Sequence, residues 1–369
     1  MKRVLLNDVG EITKLAGFEF TKYIQYIPDG DIIAIRALNL KNGQLKLDDV
    51  KRISSDMSRK LPRSQLHIND IVLSYTGTLG ECAQIKEEGK YHLAPNVAKI
   101  TPRDNIDPDY LFQVIRSSHF REEIKSYAHG STQPTIPMKA LRELPIDILP
   151  INQQHIVASI LGILDEKIKE NERINKNLLE QAQAIYTKRF ITDADSLWPE
   201  GKLSDLIEVC YGKDHKKLHD GDIPVYGSGG IMRHVDRALY EQESVLVPRK
   251  GTLNNVMYVD EPFWSVDTMF FTKMKRQNVA KFVFHFLKGK DLASMNAGSA
   301  VPSMTTKILN AIPLQIPDDQ TLSTFEAQVS PFYQAASYNN KESENLAAIR
   351  DSLLPKLMSG EIDVSDIDI

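Results

Sequence analysis

The sequence predicts an α+β protein: two tandem mixed α/β blocks, each followed by a long helix. Three observations predict it. The chain repeats itself, each copy contains short β-rich runs bounded by turn residues, and each copy ends in a long segment of helical periodicity. The repeat is the most informative of the three. Residues 70–80 read DIVLSYTGTLG and residues 244–254 read SVLVPRKGTLN. An offset of 174 places Ile71 on Val245, Leu73 on Val247 and Gly77-Thr78-Leu79 on Gly251-Thr252-Leu253. Further along, an offset of 168 places Gly130-Ser131 on Gly298-Ser299, Pro134 on Pro302, Leu141 on Leu309 and Pro145 on Pro313. The same offset continues through Asn171 on Asn339, Asn177-Leu178 on Asn345-Leu346 and Lys188 on Lys356.

The elements follow in chain order. The first block covers 1–150, with strands within DIIAIRALNL (31–40) and DIVLSY (70–75), runs bounded by Gly, Asp or Pro. PDYLFQVIRSSHFREEIKSYA (108–128) reads as one internal helix with Asp107 as its N-cap, a residue type that satisfies the free N–H groups of a first turn. Residues 151–190 read as a long helix without proline, about 60 Å at ~1.5 Å per residue. The second block, 198–317, repeats the pattern with IPVYG (223–227), SVLVP (244–248), VMYVDE (256–261) and an expected helix over 280–293. Residues 318–369 form the second long helix and a tail. The beginning of the second block matches that of the first loosely, Leu203-Ser204-Asp205-Leu206-Ile207 against Leu6-Asn7-Asp8-Val9-Gly10.

Both long helices carry heptad-like lines. One is Val157, Ile160, Leu164, Lys167, Asn171, Ile174, Leu178, Gln181, Ile185; the other is Phe325, Gln328, Phe332, Ala335, Asn339, Glu342, Leu346, Ile349, Leu353. Both are apolar near the ends and polar in the middle. A buried Asn fixes register in coiled coils, so the pattern favours pairing of the two helices. An amphipathic helix lying on its own block is the other reading.

Composition narrows the function. The fractions of hydrophobic (42%) and charged (25%) residues are those of an ordinary globular protein. No apolar stretch approaches the ~18–20 residues of a membrane span. Asp8 and Glu11 interrupt the start too early for a signal peptide, so a cytoplasmic protein with no membrane partner is expected. Two cysteines, Cys82 and Cys210, support neither a disulfide scaffold nor a cysteine-rich zinc site. The net charge of −4 is unevenly spread. Residues 1–150 carry 21 Lys+Arg against 19 Asp+Glu, and 198–317 carry 15 against 13, each a net of +2. Residues 151–197 carry 6 against 7, and 318–369 carry 3 against 10, a net of −7. The blocks are mildly basic, and local basic patches suffice for DNA.

Catalytic constellations are not apparent. GxxxxGK[ST] and GxGxxG are absent, as is GxSxG. PRKGTLNN (248–255) has its lysine before the glycine, and GSGG (227–230) reads as a turn between strands. APNV (94–97) lacks the second proline and aromatic of a methyltransferase motif. Asp109 and Glu123-Ile124-Lys125 fit a loose nuclease string. On one helix, however, they stand ~21 Å apart, too far to share a metal. What recurs in both copies is polar and cationic residues on loops next to strand ends, a pattern suited to binding.

Taken in this order and given twice, these features make the chain resemble the specificity subunit of type I restriction–modification systems. The stretches that carry the resemblance are LSYTGTLGE (73–81), VPRKGTLNN (247–255), GSGGI (227–231), the GS…P…L…P run before each helix, LPINQQHIVASILGILDEKI (149–168) and LLEQAQAIYTKRF (178–190). The resemblance spans essentially the whole chain. It implies a non-catalytic subunit of a phage-defence complex whose two target-recognition domains each read half of a split, asymmetric DNA site. It implies further that the helices pack as an antiparallel coiled coil that sets the gap between half-sites. They would also hold two methyltransferase subunits and, through them, motor-nuclease subunits. No cofactor is expected on this chain; S-adenosylmethionine for adenine methylation, ATP and Mg are expected on the partner subunits.

On that frame the expected DNA contacts in the first block are Arg36 and Asn39; Arg59, Lys60 and Arg63; Ser74, Tyr75, Thr76 and Thr78; and His129, Ser131, Thr132 and Gln133. In the second block they are Lys213, His215, Lys216 and Lys217; Tyr226, Ser228 and Arg233; and Arg249, Lys250, Thr252 and Asn254. Arginine can pair with a guanine edge and asparagine with an adenine, while lysines tolerate loose placement on phosphate. Val157, Ile160, Leu164, Asn171, Leu178, Ile185, Phe325, Phe332, Asn339, Leu346 and Leu353 are the expected helix-pairing residues. The competing readings are a specificity module of another phage-defence methyltransferase, a protein-binding scaffold without a DNA role, and an unrecognised hydrolase.

Overall fold

The computed structural model describes residues 1–130, 133–295 and 303–364. The chain divides into two compact units, Met1–Asn171 with Lys341–Ile369, and Glu172–Asn340. Each unit therefore holds one block and a segment of each long helix.

The two blocks share one plan. In the first, a four-stranded antiparallel sheet has the order Gly10–Lys14, Val97–Pro102, Ile71–Ser74, Cys82–Gln84. In the second the order is Ile207–Tyr211, Met269–Met274, Ser244–Pro248, Met257–Val259. A second sheet contains a parallel pair in both: Ile32–Ile35 with Tyr91–Leu93, and Ile223–Gly227 with Trp264–Ser265. It has four strands in the first block and three in the second. A two-stranded ribbon closes each block, Lys2–Leu5 with Pro145–Ile148 and Glu200–Lys202 with Pro313–Gln315. Even the entry turns agree: Asp8 accepts from the Leu5 N–H and Asp205 from the Lys202 N–H, which lifts the loose sequence match to a structural one.

The internal helices differ from expectation. The run 108–128 is two helices, Pro108–Arg116 and Ser118–Ser126. Ser117 is extended (ψ 153°) between them, and its hydroxyl oxygen accepts from the Phe120 N–H while donating to the Val114 carbonyl. A serine that caps the second helix in this way competes with continuation of the first. Asp107 caps the first helix as expected, accepting from the Tyr110 N–H. Asp109 is paired with Lys86 at 2.7 Å. The second block's helix is Ala280–Lys288, shorter than the expected 280–293.

The long helices are Ile151–Thr187, ending in a π turn over Lys188–Thr192, and Asp319–Ser359. The second runs through Pro331 and Pro355, both exposed. The helices run antiparallel in each unit. In the first unit Arg350 donates to Asp165, and Asn171 donates to Glu342, which also pairs with Lys167. In the second, Asn175 donates to Asn340 and to the Ala336 carbonyl, and accepts from Asn339. All eleven expected pairing residues are buried or half-buried. The expected lines nevertheless drift off the true seam. In the second helix the buried positions are Leu322, Phe325, Val329, Tyr333 and Ala336, then Leu354 and Leu357, whereas Gln328, Ala335 and Ile349 are exposed. In the first, Lys167, Ile174 and Gln181 are exposed while Leu161, Ala182 and Tyr186 are buried. The seam faces a block as well as a helix, so a two-helix heptad does not describe it.

Each unit has its own apolar core, in which the helix segments pack against the four-stranded sheet's block: Val157, Leu161, Leu354 and Leu357 with Tyr110 and Ile115 in the first, and Tyr186, Phe325 and Val329 with Phe282 and Leu287 in the second. No helix among the described residues is long and apolar enough to cross a membrane.

Matching positions lock block to helices by different chemistry. In the first unit, Gln113 and Arg116 donate to Asp165 at 2.7 Å, and Arg350 reaches the same carboxylate. Burial raises the Asp165 carboxyl, but the arginines and Gln113 outweigh it and hold it below the usual range. In the second unit, His285 lies at the position of Gln113, buried, with its ring nitrogens against Gln183 Oε1 at 2.8 Å and the Tyr333 hydroxyl at 2.9 Å. Burial lowers its pKa from 6.5 to about 4.

Two outcomes follow. Asp165→Ala leaves two buried guanidiniums without their shared carboxylate and should destabilise the chain by about 3 kcal/mol, measured by urea unfolding. His285 binds its proton more weakly folded than unfolded, so its contribution is complete above pH 6.5 and is lost as pH falls toward about 4. His285→Gln, the residue found at 113, should flatten that part of the stability–pH profile.

Candidate nucleic-acid interface

The strand ends of both four-stranded sheets carry the loops that hold most of the expected contacts. In the first block, the Tyr75 N–H donates to the Asn96 carbonyl at 3.2 Å and the Ile136 N–H to the Tyr75 carbonyl at 3.1 Å. Thr76 bridges Thr135, and the Gly77 N–H donates to the Pro134 carbonyl at 2.8 Å. In the second block, the Arg249 N–H donates to the Thr268 carbonyl at 2.8 Å, the Met304 N–H donates to the Arg249 carbonyl at 2.9 Å, and Lys250 bridges Ser303. The sequence offsets map Tyr75, Thr76, Thr135 and Ile136 onto Arg249, Lys250, Ser303 and Met304, so three of these contacts recur at equivalent positions. One backbone frame is therefore built twice, holding the loop after the third strand against the segment that leads to the long helix.

Gly77 and Gly251 take φ of +82° and +84°, a region that residues with a Cβ resist. At Gly251 a Cβ would also stand 2.7 Å from the Ser228 hydroxyl oxygen. The 227–230 turn thus lies against this loop, and Asn255 ties the two by donating to the Ser228 carbonyl at 2.9 Å. Lys213 is held nearby, its N–H on the Ser265 carbonyl and its own carbonyl accepting from Trp264 Nε1. The second unit so gathers Lys213, Ser228, Arg249, Lys250 and Thr252. The first gathers Thr76, Thr78, His129 and Gln133; Ser131 and Thr132 lie outside the described residues, as do Gly298, Ser299 and Pro302 of the repeat.

Several expected contacts are committed within their blocks. Asn39 is buried: its side chain accepts from the Arg36 N–H and donates to the Lys46 and Asp49 carbonyls. Arg36 is itself spent on Asp49. Ser74 is fully buried and donates to the Thr76 carbonyl, and the Tyr75 ring belongs to the core. Arg233 holds the Leu218 carbonyl and Asp220. Asn254 was expected to read an adenine, yet its amide donates to Asp291 and accepts from the Ala293 N–H. Short polar side chains beside tight turns find backbone partners first, and these residues shape the loops. Tyr226 packs edge-on against Phe263, and His215 is half-buried.

The remaining cations stand on other elements. Arg59, Lys60 and Arg63 are exposed on the helix Ser55–Arg59 and the turn Pro62–Ser64, which lead into the second sheet; Arg59 also pairs with Asp56. Lys216 and Lys217 are exposed in the turn before Leu218. Sequence reasoning missed Lys14 and Tyr211, the last residues of each sheet's first strand. Lys14 lies over the Tyr75 ring and Arg249 over the Tyr211 ring. The offset of 197 that aligns Leu6 with Leu203 also aligns Lys14 with Tyr211, and was the available signal. Among the described residues, no group of three or more His, Cys, Asp or Glu is placed to hold a metal.

Comparison with known proteins agrees with this doubled plan. The family model of the type I restriction modification DNA specificity domain matches residues 1–180 and again 195–343. The chain is 22% identical over 311 residues to the MjaIX type I restriction enzyme specificity subunit of Methanocaldococcus jannaschii, covering 73% of this chain and 72% of that one. It is 21% identical to the HindI specificity subunit of Haemophilus influenzae, covering 94% and 96%. The crystal structure of a type I restriction-modification S subunit from M. genitalium superposes with a TM-score of 0.52 at 19% identity, over 96% and 95% of the two chains, which speaks to the fold. With both copies of the repeat matched by the same domain, over most of its length, the chain belongs to the type I restriction modification DNA specificity family.

Proposed function

We propose that this chain is the non-catalytic, DNA-reading specificity subunit of a type I restriction–modification complex. Each block reads one half of a bipartite, asymmetric site. The observation that carries this reading is the frame built twice and dressed differently. Where the first copy has Tyr75 and Thr76, the second has Arg249 and Lys250 on equivalent backbone. Like frames with unlike side chains are what two different half-sites require.

The two helices, of 37 and 41 residues, serve as the spacer. Half-site separation is then a geometric constant. The acidic segment 318–369 disfavours phosphate and suits a protein-facing role. Two methyltransferase subunits dock on the repeated surfaces and motor-nuclease subunits join through them. S-adenosylmethionine, ATP and Mg are carried by those partners, and the complex works in the cytoplasm against phage DNA.

Mapping methylated adenines across the source genome, with this gene intact and deleted, tests the proposal. A split motif with a fixed gap that vanishes on deletion is the expected result; an unchanged methylation pattern would overturn it. In the purified complex, replacing Lys216 and Lys217 together by Ala should weaken site binding and lower the slope of log K against log salt by about 2, about one per lost phosphate contact, with the preferred sequence unchanged.

A further inference from the structure

Lys14 and Tyr211 occupy the same place in the two blocks. Each ends the first strand of its four-stranded sheet, and in the ladder Lys14 stands opposite Ala98 and Tyr211 opposite Phe270, which the repeat makes equivalent. Tyr75 and Arg249 also share a place, the residue after the third strand, each anchored by its N–H to the loop before the central strand. The side chains at these two places meet across the end of the central strand.

The pair is of one kind in both blocks, with its members exchanged. In the first, the Lys14 ammonium lies 5.5 Å from the centroid of the Tyr75 ring. In the second, the Arg249 guanidinium carbon lies 5.4 Å from the centroid of the Tyr211 ring. A cation over a ring is favourable at either polarity, so the seat survives the swap. What changes is the outer member. Lys14 is exposed above a buried Tyr75. Tyr211 is 53% exposed and braced edge-on against Phe270, while Arg249 is half-buried and donates to the Asp267 carbonyl. The first seat thus presents an exposed point charge, the second an aromatic face braced by Phe270 and Arg249.

Building on the DNA-reading function above, we infer that this swapped pair is a DNA contact in each block. Lys14 meets a backbone phosphate of the first half-site. Tyr211 packs against sugar or base of the second, oriented by Arg249 beneath it. An ionic contact releases counterions and scales with salt; an aromatic one does not. The half-sites are therefore held by chemically different grips at one structural position.

The test uses the intact complex with its methyltransferase subunits and a duplex carrying its methylation site, binding being measured across a salt series. Lys14→Ala should lower the salt slope by about one, and Lys14→Arg should restore it. Tyr211→Ala should weaken binding about tenfold with the slope unchanged, and Tyr211→Phe should bind as the parent does. Both residues are exposed, so the variants should fold, which thermal melts verify. If Lys14→Ala leaves the slope intact, or Tyr211→Ala binds normally, while the Lys216 and Lys217 replacements still reduce the slope, the seat faces away from DNA and this inference fails with the DNA reading untouched. If the parent complex shows no salt-dependent preference for its site, the DNA reading itself fails and this inference falls with it.

Discussion

Asn171 is fully buried on the first long helix, and its side-chain amide donates to Glu342 and Ser343 on the second. A buried amide whose partners lie on the facing helix tolerates one alignment of that helix and penalises the rest. That register decides which residues meet elsewhere. It brings Arg350 to Asp165 in the first unit. Each block packs against whatever surface the pair then presents. A slip by one turn would leave Asp165 with Gln113 and Arg116 and without Arg350.

The two copies keep the frame and exchange the chemistry. A carboxylate between two arginines holds block to helix in one; a neutral histidine between a tyrosine and a glutamine does so in the other. Backbone contacts of Tyr75, Thr76 and Ile136 recur at Arg249, Lys250 and Met304, while the side chains they carry do not. Main-chain pairing is indifferent to side-chain identity, so a duplicated fold can diverge at its loops and contact seats without losing its sheet. Binding surfaces on rigid scaffolds diverge there for that reason.

Asp165 is held charged by its arginines, and two histidines are held neutral by burial, His92 in the first unit and His285 in the second. Mild acid therefore bears on both units through buried imidazoles, and stronger acid on the first through its carboxylate.

The repeat, the helix pair and the family resemblance were legible because they rest on local pattern: Gly77 and Gly251 for a turn with positive φ, periodicity along 151–187, Asp107 ahead of an apolar run. The sequence by itself determined that the chain is written twice, which loops face strand ends, and that the long helices carry a polar middle. Only the tertiary structure decided which polar side chains are free to meet a ligand. Asn39, Ser74 and Asn254 look like readers in the sequence and are anchors in the fold, because backbone groups, and for Asn254 also the Asp291 carboxylate, satisfy them first. Lys14 and Tyr211 look ordinary in the sequence. Their partners stand 61 and 38 residues away, at Tyr75 and Arg249, and a contact across a central strand leaves no mark in the spacing of either.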